Sequence, residues 1–141
     1  MKKTGSIPEA YRGVVQRSDA CEFARLLGMT VTGIEDGCVH VAMPTAGMKN
    51  AHGTIHGGAI FAIADHAFGI AANMEGIDQI AISACIRYFT IPTADTIEAV
   101  ARKISETEKT SVYTVDVYSG DRLVASFEGV GFKIGGTTKR G

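Results

Sequence analysis

Asp65 is the reactive residue in the least expected company. It stands within Gly57 to Gly76, a proline-free run, apolar on nearly every side and crowded with Ala and Gly. A helix apolar all round is a buried helix, and a carboxylate placed in one carries a desolvation cost that burial alone does not return. Such a group pairs with a neighbour, lines a wet site or holds a proton. An acid kept for structure alone would look the same taken singly. The approach to the run reads Asn50-Ala-His52-Gly53-Thr-Ile-His56-Gly57-Gly58. Two glycines at a helix start present amides without an intrahelical acceptor, at the positive end of the helix dipole. An oxygen gaining negative charge during acyl transfer is stabilised in such a place. A Gly-Gly pair that only permits close packing would read alike, so the combination with Asp65 carries the information.

Spacing limits how the two can act together. Gly57 and Asp65 are eight residues apart, roughly 12 Å along a helix. An oxyanion donor and a base serving one carbonyl must each lie within about 3 Å of the reacting atoms. One helix cannot place both. If both act, Gly57 comes from one chain and Asp65 from another, most simply through antiparallel helices in a two-fold dimer with two sites at its interface.

Other residues invite sharper readings that do not hold. His52 and His56 stand four apart, as metal ligands on a helix do, but Gly53 and the loop setting argue against a helical pair, so no metal is expected. Cys85 would need an electropositive setting and a base to be a nucleophile, and a buried inert thiol in a strand fits better. His66 points about 100° away from Asp65 on a helix and reads as packing or interface. No Gly-rich phosphate loop with its lysine is present and no cofactor is expected.

The positioning elements follow from periodicity. Residues 1–17 read as a loosely ordered lead-in. Asp19-Ala-Cys-Glu22 has the form of a capping box ahead of a short helix through Phe23, Leu26 and Leu27, stopped by Gly28. From Met29 to Met43 the period falls to two around the turn Glu35-Asp36-Gly37. Residues 44–55 form a loop, and the buried helix follows. Strands are expected near 79–90, 96–105, 110–118 and 122–134, with Tyr118–Asp121 as a hairpin loop and 135–141 fraying. Ser83 falls on a strand face with Ala81, Cys85 and Arg87. A hairpin, one buried helix and a run of antiparallel strands make an α+β layout.

Composition narrows the classes. The 141 residues carry 14 basic and 15 acidic side chains and 45% hydrophobic residues. They suit one domain over 1–141 with a real core. A net charge of -1 argues against nucleic acid as partner. Three scattered cysteines fit neither a disulfide scaffold nor a zinc ribbon. The two lysines at the start lack an apolar run behind them, and Asp65 with His66 interrupts the longest apolar stretch. Neither a signal peptide nor a membrane span is expected, and a reducing cytoplasm suits the chain.

The spaced pattern N-(x5)-H-G-G-(x6)-D from Asn50 to Asp65, followed by Ala67-Phe68 and Ala71-Ala72-Asn73, resembles the hotdog-fold acyl-CoA thioesterases of the PaaI type. The likeness runs from Phe23-Ala-Arg-Leu-Leu-Gly28 to about Phe132. It implies a sheet wrapped round one long helix, an acyl-CoA substrate and a homo-oligomer, a dimer or dimer of dimers. By resemblance the Gly57 amide polarises the thioester carbonyl with help from the Asn50 side chain. Asp65 of the opposite subunit is general base or nucleophile, Ser83 helps hold the water, and His56 supports Asn50 or the departing thiolate. Gly58, Phe61 and Phe68 are expected to bind the acyl part, with Ala62 and the strand around Ile82 in the pocket wall. Coenzyme A calls for a basic rim, for which Arg87, Arg102, Lys103, Lys109 and Arg122 are at hand and Lys103 and Lys109 are the picks. The alternatives are a non-catalytic acyl-CoA-binding hotdog protein and a hotdog hydratase or dehydratase. The last would need Asp65 paired with His52 or His56.

Overall fold

In the computed structural model of the chain, which describes residues 5–137, the order of elements is a 3-10 turn at Glu9–Tyr11, α1 (Arg12–Ala20), α2 (Glu22–Leu27), β1 (Thr30–Glu35), β2 (Cys38–Pro44), α3 (Gly57–Asn73), β3 (Ile77–Tyr88), β4 (Thr96–Glu106), β5 (Thr110–Ser119) and β6 (Arg122–Thr137). The strands form one antiparallel sheet in the order β1-β2-β4-β5-β6-β3. This is the α+β arrangement that the periods announce, with α3 laid across one face.

The N-terminal segment departs from expectation. Residues 12–20 are helical, although the segment buries only Val15 and so carries little periodic signal. Asp19 is no cap. It lies inside α1 and its Oδ1 accepts from the Val31 amide at 2.9 Å, tying α1 to β1. The cap of α2 is Cys21, whose Sγ accepts from the Ala24 amide at 3.4 Å. Gly28 ends α2 at φ +75°, as its type foretells. The β1–β2 turn puts Asp36 at φ +53° and Gly37 at +77°, the left-handed pair that a two-residue hairpin requires. β6 extends to Thr137, and of the expected fraying tail residues 138–141 lie outside the described residues.

α3 buries Ile60, Ile63, Ala67, Phe68 and Ile70 among the core residues against the sheet. Its alanines and glycines let the sheet approach closely. A Cβ on Gly129 would stand 2.9 Å from the Phe68 ring, so the bare glycine on β6 makes room for that side chain. Phe68 in turn meets Tyr113 and Phe127 at centroid distances of 5.7 and 5.8 Å, and Phe61 meets Phe127 edge-on at 5.4 Å. Edge-to-face contacts at this spacing are favourable beyond the area they bury.

β3 forms one edge of the sheet, and its residues from Ile80 to Cys85 are exposed. A register shift between Ala81 and Ser83 inserts one residue opposite β6, where Ala81 faces Gly131 and Ser83 faces Val130. Adjacent residues of β6 point to opposite faces, so Ala81 and Ser83 do too. The expected common face of Ala81, Ser83, Cys85 and Arg87 is therefore split by a bulge that alternation alone does not reveal.

Candidate active site

The N-terminus of α3 is built by its own cap. His56 takes an extended backbone (φ −65°, ψ 135°) and its Nδ1 accepts from the Gly58 amide at 2.8 Å. Accepting at Nδ1 leaves the proton of the neutral ring on Nε2. A Cβ on Gly58 would come within 2.9 Å of that Nδ1, so glycine here protects the cap. The cap occupies the amide of Gly58 and leaves the amide of Gly57 without a partner among the described residues. Of the two glycines, Gly57 thus keeps its amide free, while Gly58 gives its amide to the cap and lines the cleft beside it.

Tyr88 closes the same corner. Its Oη donates to the Gly57 carbonyl at 3.2 Å, and its ring lies 3.5 Å from where a Gly57 Cβ would stand. Sequence reasoning missed it, because nothing local marks a contact spanning 31 residues. Asn50 shapes the preceding loop. Its Oδ1 accepts from the amides of His52 and Thr54 at 2.9 and 3.1 Å and from the Thr54 hydroxyl at 3.3 Å. The oxygen is fully engaged, which orients the Nδ2 group as the side chain's remaining donor.

Asp65 is not enclosed in the subunit. The sequence expectation of a helix buried on every side is corrected here: Gly58 and Asp65 are exposed, and Phe61, Gly69 and Asn73 half-buried, along one stripe of α3. The stripe is legible only in hindsight, because Ala and Gly fill buried and open positions alike. Asp65 sits where two hollows meet, one of about 800 Å³ beside α1 and one of about 120 Å³ beside β3. Their walls withdraw water from the carboxyl and push its pKa above the ordinary value, with the neighbouring His66 opposing the shift. His66 itself is held down by burial against the pull of Asp19 and Asp65, and its Nε2 is buried with no hydrogen-bond partner among the described residues.

The other expected site residues lie in different surroundings. Ser83, beyond the bulge, shares the face of Val130, Glu128 and Ser126, opposite to the buried Phe127, Gly129 and Gly131. It therefore points away from α3 and is not brought to Asp65. Phe68 is 2% exposed and belongs mainly to the aromatic core, touching only the smaller hollow, while Phe61 packs on Phe127. Lys103 is bound by Glu106 at 2.9 Å, and Lys133, which sequence reasoning passed over, reaches the other oxygen of Glu106 at 2.6 Å. The two cations hold the Glu106 carboxyl down to about 2. Lys109 is exposed on the turn between β4 and β5. Glu75, just past the C-terminus of α3, adds to the charge around Lys103, which places this pair at the far end of α3 from Gly57. Helix length makes that separation about 25 Å. Among the described residues no group of three His, Cys, Asp or Glu is placed to hold a metal ion, and no helix is long and apolar enough to cross a membrane.

Residues 52–126 match the model of the thioesterase superfamily. The acyl-coenzyme A thioesterase PaaI of Escherichia coli (strain K12) is 37% identical over 124 residues, covering 85% of this chain and 86% of that protein. The solved structure of the E. coli PaaI protein superposes with a TM-score of 0.82 at 30% identity, covering 91% of this chain and 95% of the other. A variant of PaaI from Thermus thermophilus gives 0.76 at 35% identity, covering 81% and 100%. The chain belongs to the thioesterase superfamily, as a PaaI-like thioester hydrolase with the hotdog fold.

Proposed function

We propose that the chain hydrolyses acyl-CoA thioesters, fatty or aromatic, to the free acid and CoA. The observation that carries this reading is the Gly57 amide, left unpartnered at the positive end of α3 while His56 caps Gly58. The thioester oxygen accepts from that amide, with Asn50 Nδ2 as second donor, and the carbonyl carbon becomes open to attack. Asp65 of the partner subunit takes a proton from the attacking water, or attacks itself to form an anhydride that water then opens. Collapse of the tetrahedral intermediate breaks the carbon–sulfur bond, and in this reading the Nε2–H of His56, whose Nδ1 is held in the cap, supports the departing thiolate.

The partner is a second copy of this chain. The 12-residue edge strand β3 offers unpaired backbone groups along an exposed flank, the kind of edge that proteins pair or cover. Antiparallel β3–β3 pairing about a two-fold axis normal to the sheet keeps both α3 helices on one face and sets them antiparallel. That brings Asp65 of each toward Gly57 of the other and leaves Ser83 on the opposite face, so Ser83 is dropped from the mechanism. A dimer of dimers is compatible with this arrangement, and a cytoplasmic setting suits three free thiols. Lys103 and Lys109, far from Gly57 in their own chain, would serve the CoA phosphates only at another subunit's site. Hydration of a double bond would need an acid–base pair with Asp65, and His56 Nδ1 is already committed to the cap.

The test is thiol release from acetyl-, decanoyl- and phenylacetyl-CoA by wild type and Asp65→Asn. Cleavage of at least one class, with turnover lost about 100-fold or more in the variant while binding persists, supports the reading. A wild type inert toward every class removes the substrate assignment.

A further inference from the structure

α2 presents an arrangement that folding does not explain. Its Ala24 is fully buried, yet Phe23 is 54% and Leu26 77% exposed. Phe23 is not isolated on the surface. With Leu27, Met48 and Ala62 it lines an apolar cleft of about 350 Å³ that ends at His56 and Gly58. The cleft thus opens beside the start of α3, one residue from the free Gly57 amide. Its volume is at the low end of the range of about 300–1,000 Å³ typical of small-molecule sites. That suits an acyl group and excludes a whole coenzyme. Among the described residues the only Lys, Arg, Asp or Glu lining it is Lys49, which is exposed.

We infer that this α2 cleft is the acyl-chain site, and that Phe23 and Ala62 set the length of chain accepted. The inference rests on the acyl-CoA reading above and deepens it. An acyl group whose carbonyl oxygen meets the Gly57 amide has its first methylenes next to Gly58. The nearest apolar surface that can receive the rest is the wall made by Ala62, Met48, Leu27 and Phe23. Ala62 lies one helical turn beyond Gly58 on α3, so a larger side chain there shortens the cleft from within. Phe23 closes it from α2. The substrate class selected is an unbranched aliphatic acyl group of medium length, whose affinity grows with each methylene buried.

Binding of S-alkyl-CoA thioethers, which cannot be hydrolysed, tests the cleft separately from catalysis. Calorimetry on the whole oligomer with chains from two to twelve carbons is expected to show affinity rising up to about fourfold per methylene until the cleft is full. Ala62→Leu is expected to cut the decyl affinity at least tenfold and leave the ethyl affinity within threefold. Phe23→Ala, an exposed position where folding is not at stake, should flatten the slope over the longer chains. Affinity insensitive to chain length overturns the inference, as would be found if a second copy covered the cleft. Equal losses for short and long chains in Ala62→Leu overturn it too. Chain-length-dependent binding lost in the variants, with no thioester cleaved by wild type, would keep the cleft and refute the hydrolase reading instead.

Discussion

Gly57→Pro isolates the contribution of a single backbone amide. Proline removes the N–H and changes little else here, since Gly57 is the first residue of α3, the helical position that proline favours. The preceding His56 already has the extended backbone (φ −65°, ψ 135°) that a following proline demands. No hydrogen bond is lost, because the Gly57 amide has no partner within the described chain. The His56–Gly58 cap persists. A Cβ at this position meets the Tyr88 ring at 3.5 Å, an ordinary contact. Stability should therefore change by no more than about 1 kcal/mol, seen as a Tm within several degrees of wild type. Removing one oxyanion donor costs about 2.7–4 kcal/mol of transition-state stabilisation, or about 10²–10³ in kcat. Gly57→Ala is the control, with the same Cβ and the amide retained, and should stay within a few-fold of wild type. Steady-state thiol release with a coloured disulfide gives kcat for all three proteins. If Gly57→Pro is folded and turns over within threefold of Gly57→Ala, the amide is not the oxyanion donor.

Three further outcomes follow from the described contacts. Gly129→Ala drives a Cβ to 2.9 Å from the Phe68 ring, and with Phe68 held among core aromatics it should cost about 1–3 kcal/mol, read as a lower denaturant midpoint. The Asp65 carboxyl is raised by desolvation, so protonated Asp65 favours the folded state below the ordinary carboxylate pKa and that contribution is lost as pH rises through the folded value. Asp65→Asn should then raise Tm at pH 7, leave it unchanged near pH 3, and abolish turnover; equal Tm at pH 7 refutes the desolvation argument. His66 is lowered by burial, so the unfolded chain binds its proton first and stability falls as pH drops below about 6.5. His66→Leu should weaken the fall in Tm between pH 7 and pH 5, and an unchanged slope counts against it.

What the sequence discloses depends on how regular each signal is. The switch from a nearly unbroken apolar run in α3 to period two in β4–β6 is repeated over many residues, so the layout is directly readable. α1 is not, because its one buried residue, Val15, leaves no period to detect. The bulge at Ser83 arises from pairing with β6, a long-range choice that local alternation does not encode. Asp65 stands out in the sequence as a carboxylate in an apolar run, yet it lies on an open face, since Ala and Gly give no contrast between buried and open faces. His56 as helix cap and Tyr88 against Gly57 are hidden for different causes. Histidine is not a usual N-cap type, and the Tyr88 contact is made only by the fold.

The division of one active site between two chains is tested most directly by complementation. Gly57→Pro and Asp65→Asn chains, each inactive alone, are co-expressed so that mixed dimers form. In a mixed dimer one interface site joins an intact Gly57 to an intact Asp65 and the other has neither. Random pairing then predicts recovery to about a quarter of wild-type kcat per chain. Activity no greater than that of the two parents, in a preparation shown to contain mixed dimers, would contradict a site shared across the two-fold axis.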